Sequence, residues 1–221
     1  MFMPFRVSLA VPALCLLILG SCTKDEVDPA RGFSASIQSI ITQDDIEKLR
    51  QRGMPIHEGT VPPTIEGIYM SAPHELVSPY GPDDTFKPGD AFSDLILRFS
   101  EQTSTDQRAK VELKTGNSTG AGQGGFIAGN GTQFTFFAEI DLKSGAATAK
   151  QIRIFSGEIT SDGIRNLYTT LYMKSKNDPG DELIPVGTSR IIKDGDGLAS
   201  KRTAFRAGAD TVEKPTDSAG R

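Results

Sequence analysis

The chain of 221 residues has no Trp, two Cys and two His. Each scarcity excludes something. Two cysteines cannot staple a disulfide-dense scaffold. Two histidines leave little material for a multi-His metal cluster. Basic residues are outnumbered, 24 Lys+Arg against 28 Asp+Glu, and the net charge of -4 is the wrong sign for a nucleic-acid footprint. No nucleic-acid partner is therefore expected. Long hydrophobic runs are also missing, except at the N-terminus.

That exception organises the rest. Met1 to Arg6 carries one positive charge, and Val7 to Leu19 (VSLAVPALCLLIL) is almost unbroken apolar sequence. A charged start followed by an apolar run of roughly 7–15 residues is the layout of a secretory signal. A membrane-spanning helix would need about 20 predominantly apolar residues. Here Pro12 interrupts the run and Gly20, Ser21, Cys22 and Thr23 close it.

Leu19-Gly20-Ser21-Cys22 places an apolar residue and two small ones before a cysteine. It resembles the lipobox of bacterial lipoproteins. The resemblance implies cleavage before Cys22, with residues 1–21 as signal peptide and acyl chains such as palmitate on Cys22. Two or three such chains hold a protein firmly on a bilayer, at about 0.8 kcal/mol per buried methylene. The following Thr23-Lys24-Asp25-Glu26 resembles the export signal of surface lipoproteins in the Bacteroidota. That implies a lipid-anchored protein of the outer membrane facing the cell exterior; the alternative is a solvated charged linker. Removing the signal also removes Cys15, so the folded body would have no thiol, and thiol catalysis, disulfides and cysteine metal ligation are excluded.

The mature chain divides by composition. Residues 22–33 read as a lipidated tether, 34–61 as a short N-terminal helix and lead-in segment, 62–199 as a β domain, and 200–221 as a disordered tail. Thr42 and Asp45 have capping-box spacing, with acids in the first turn, Lys48, Arg50 and Arg52 in the last, and Gly53 as a stop. From Ile65 on, the apolar pattern has period two. Eight strand-like segments follow: Ile65–Ser71, Phe92–Ser100, Ala109–Thr115, Gly124–Ala128, Thr132–Leu142, Ala149–Ile159, Ile164–Lys174 and Ile184–Lys193. Turn signals such as Asn130-Gly131 separate them. No stretch between them is long enough for a crossover helix. The expectation is an eight-stranded antiparallel meander closed into a barrel, with a β-sandwich of two sheets as the alternative. Lys110, Glu112, Lys114, Glu139 and Arg153 are assigned to the outer face, which rules out a membrane-spanning barrel.

Gly67-Ile68-Tyr69, at the first strand after the helix, is similar to the Gly-x-Trp signature of lipocalin-like (calycin) barrels, with Tyr in place of Trp. The resemblance spans Thr64 to Gly197. It implies that Arg190, in the last predicted strand, packs over that aromatic ring.

Motifs with chemistry are few. Gly120 to Gly125 matches G-x-G-x-x-G, but a hairpin follows it where a dinucleotide site needs a helix, so it reads as an irregular strand. Asp194-Gly195-Asp196-Gly197 lacks the later calcium ligands of an EF loop and reads as a turn. His57 and His74 have Ser71, Ser78 and Asp83 nearby in sequence, and no G-x-S-x-G is present. No catalytic residue, metal or cofactor is expected. Phe134 and Phe136 either fill the core or line an apolar cup, with Tyr69 and Arg190 as further candidate ligand-facing residues. Tyr168 and Tyr172 share a strand face and could form an outer stacking platform. Asp210-Thr211-Val212 and Asp217-Ser218-Ala219 resemble Bacteroidota O-glycosylation sites at Thr211 and Ser218. The expected function is a non-enzymatic module binding a small hydrophobic or extracellular ligand. The alternative is a structural or interaction subunit of a surface assembly, for example one for glycan uptake.

Overall fold

The computed structural model describes residues 33–206. The expected signal peptide (residues 1–21), Cys22, Thr211 and Ser218 lie outside the described residues.

Two helices open the described chain. Ser34 caps α1 (Ala35–Ile40), its hydroxyl accepting from the Ile37 amide. Thr42 caps α2 (Gln43–Gln51) as its spacing predicts: the Asp45 amide donates to Thr42 Oγ1 at 3.2 Å, and the Thr42 hydroxyl donates back to Asp45 Oδ2 at 2.7 Å. The one expected helix is thus two. Ile41 and Thr42 turn extended between them, because Thr42 serves as a cap and Ile41 goes into the core. Gly53, at φ +93°, ends α2.

Twelve strands follow among the described residues. They are β1 (Thr60–Val61), β2 (Gly67–Ser71), β3 (His74–Ser78), β4 (Ala91–Phe92), β5 (Leu95–Ser100), β6 (Arg108–Thr115), β7 (Ser118–Asn130), β8 (Gln133–Ser144), β9 (Ala147–Ile159), β10 (Gly163–Asn177), β11 (Ser189–Asp194) and β12 (Leu198–Arg202). From β5 to β10 each strand pairs antiparallel with the next, the expected meander. The count of eight is corrected, and so is the closure. β12, which begins at the end of the expected β domain and runs on into the stretch expected to be a tail, pairs with both β2 and β10. A ring of eight strands results, with its members not evenly disposed about one axis. β11 leaves the ring, because the second half of β10 pairs with β11, which pairs with β3 and β3 with β4. β1 adds a short parallel pairing to β7.

The sheet buries both faces over part of its area. Inside, Phe99 meets Phe136 and Phe155 edge-on at 5.2 and 5.7 Å. Outside, Phe33, Ile37, Ile46 and Leu49 from the helical segment cover Phe137, Ile152 and Ile154. This explains why 134–138 (FTFFA) is buried without a break. Arg52 fastens this layer down. Its guanidinium donates to Ser78 Oγ, Ser189 Oγ, and the Pro79 and Ser189 carbonyls at 2.6–3.0 Å. Among the described residues no helix is long and apolar enough to cross a membrane.

Candidate functional site

Of the four residues expected to face a ligand, Tyr69, Phe134 and Phe136 fill the core instead, and Arg190 lies at the wall of a half-open cavity. Tyr69 is buried, with its hydroxyl donating to the Ile65 and Glu66 carbonyls at 3.1 and 3.2 Å. Phe134 and Phe136 are fully buried against Phe99. The apolar-cup reading of these rings gives way to close packing. Gly125 shows how close: a Cβ there would lie 2.1 Å from the Phe136 ring. The G-x-G-x-x-G stretch is strand β7, with a register shift between Ala121 and Phe126.

Arg190 does not pack over Tyr69. It sits on β11, outside the ring, with its guanidinium 4.9–5.6 Å from the centroids of Phe86, Tyr80 and Phe92. Asp84 accepts from its Nε and Nη2 at 2.8 and 2.5 Å. Tyr168 and Tyr172 are half-buried against the outer core, so they form no free platform. In the turn at Asp178 the Lys176 ammonium donates to Asp178, Asp181 and the Leu183 carbonyl at 2.9–3.1 Å. Among the described residues no cluster of three or more His, Cys, Asp or Glu is placed to hold a metal.

A charged side chain lies in the interior at Arg153, a residue assigned to the outer face from its charge. On β9 the side chains of Gln151, Arg153 and Phe155 share one face, and Phe155 belongs to the inner core. Ala138 stands opposite Arg153 on β8, and its single methyl leaves room for the long side chain. Arg153 is 6% exposed, and its Nε donates to Gln151 Oε1 at 2.9 Å. No carboxylate pairs with it among the described residues. Burial pushes the guanidinium down to about 10, so it stays charged at neutral pH.

Arg153 and Gln151 line a half-open cavity of about 150 Å³. Leu142, Leu171, Met173 and Ile192 supply apolar wall, and His74 adds an imidazole. This is half the roughly 300 Å³ expected of a ligand-sized cavity. His74, at the start of β3, is buried, and its Nδ1 lies 3.1 Å from Ser71 Oγ. Burial and then the Arg153 charge push His74 down to about 3, so it is neutral. Asp194 stands opposite His74 on β11, also buried, and neither carboxylate oxygen reaches hydrogen-bonding geometry with a partner among the described residues. Burial, and then the Asp196 carboxyl beside it, push Asp194 up to about 6. Ser71, His74 and Asp194 are brought near one another by β2–β3–β11 connectivity.

Sequence reasoning passed over Gln151, put Arg153 on the outer face and read Asp194 only as part of a turn. The signal was present for the first two. Gln151 and Arg153 have the same parity as Ala149 and Phe155, so strict alternation already turns them inward. Comparison with protein-family models, with curated proteins and with solved structures finds no match.

Proposed function

We propose that this chain is a lipoprotein of the outer membrane, held by acylated Cys22 and facing outward, whose β domain is a non-enzymatic binding module. The ring of strands is read as a lipocalin-like barrel, with a β-sandwich as the alternative arrangement of the same strands. The observation that supports binding is the half-open cavity at Arg153: a buried cation with one neutral partner, beside apolar wall. The phenylalanine core restricts the ligand to a small one. Native mass spectrometry of the protein purified from its host tests this, and a co-purifying small molecule is the expected result. A stoichiometric protein partner and no small molecule would favour the second reading, an interaction subunit of a surface assembly. That reading draws support from an open groove of about 780 Å³ across β6–β10. Labelling with radioactive palmitate tests the anchor. Wild type should incorporate label and Cys22→Ala should not; retained label in the variant would refute the assignment.

A further inference from the structure

We infer that the Arg153 cavity takes a small organic monocarboxylate, its carboxylate on the Arg153 guanidinium and its short apolar body against Leu171, Met173 and Ile192. The inference rests on the binding-module reading and names its ligand class.

A buried charge is costly unless paired. Arg153 has a single hydrogen bond, from Nε to a neutral amide, and its Nη groups have no protein partner among the described residues. The other cations and anions at the cavity wall are accounted for. Arg190 is committed to Asp84 by two hydrogen bonds and lies among three aromatic rings. His74 is buried and neutral beside Ser71. Glu182 adds a negative charge from its exposed position on the loop between β10 and β11. Arg153 is therefore the one cation at the cavity wall with no carboxylate partner among the described residues, and Glu182 limits how much negative charge a ligand there can carry. One charge suits a monoanion; a phosphate dianion would keep an unpaired charge and meet Glu182 as well. The planar guanidinium fork matches the two oxygens of a carboxylate. The aliphatic wall and the enclosed volume of about 150 Å³ favour a short anion with an apolar body over a fully polar one.

The test uses the full chain and a panel of probes: acetate, propionate, butyrate, their neutral amides, and inorganic phosphate. Binding is read by calorimetry, and by the ¹⁵N resonance of the Arg153 Nε–H in the unmodified protein. The expected result is that propionate or butyrate binds and shifts that resonance. The matching amide should bind at least about tenfold more weakly. Arg153→Gln should lose a similar factor, with Lys150→Gln on the outer face unchanged. The resonance keeps the test valid if Arg153→Gln fails to fold. Amides binding as well as acids would overturn the anion inference and leave the binding reading standing. Phosphate binding more tightly than every carboxylate would overturn it too. If no probe binds but a small molecule co-purifies, this inference alone falls; if neither is found, both fall.

Discussion

Arg153, His74 and Asp194 are three ionisable side chains withdrawn from water within one end of the fold, and each responds differently. Arg153 keeps its charge, because even a guanidinium lowered to about 10 is protonated at neutral pH. His74 gives its charge up, at about 3 against an ordinary 6.5. Asp194 holds its proton to about 6 against an ordinary 3.8. The last two have opposite consequences for stability. Between about pH 4 and 6 the unfolded chain protonates His74 and the folded one does not, so this residue makes stability rise with pH. In the same window the folded chain keeps the Asp194 proton and the unfolded one has lost it, so this residue makes stability fall with pH. Urea melts across that window check the signs. Relative to wild type, His74→Gln should lose ground as pH rises, and Asp194→Asn should gain it. Each difference should approach about 1.4 kcal/mol per pH unit at most. Identical pH dependence in all three proteins would show that neither group is shifted.

At the scale of elements, β7 and α2 show the two ways in which local sequence meets its surroundings. The α2 cap was legible because it is local: Thr42 and Asp45 find each other within one turn, whatever lies beyond. The glycines of β7 were legible only as something other than a nucleotide loop. Their reason is the neighbouring strand, since the Phe136 ring occupies the space where a Gly125 side chain would sit. Gly125→Ala should therefore cost about 1–3 kcal/mol by overpacking. Adding Phe136→Leu should recover part of that cost, and a double-mutant cycle from denaturant melts measures the coupling. Additive effects would mean that the two residues do not compete for space. The β9 alternation falls between these cases. The period-two pattern was sufficient to place Arg153 inside, but its charge argued for the surface, and only the register opposite Ala138 shows how an arginine fits there.

For the molecule as a whole, the helical segment and the ring form one body. Ile46 is completely buried in the core that α2 shares with Phe137 and Ile154. Arg52 ties the same helix to β3 and β11. Ile46→Ala should then lower global stability by about 2–4 kcal/mol. Far- and near-ultraviolet circular dichroism should still follow a single transition. A separate early transition in the variant would show the helices to be an independent layer. The sequence alone determined the β class, the meander from β5 to β10 and the α2 cap, because these depend on neighbours close along the chain. Which strand closes the ring, which aromatic rings Arg190 faces, and the lack of a carboxylate partner for Arg153 among the described residues were decided by tertiary structure. Each depends on a partner far away in sequence: β12 reaches β2, β11 reaches β3, and Asp84 reaches Arg190. Alternation reports which face a residue takes, but the cost of burying it depends on groups that only the closed fold brings together.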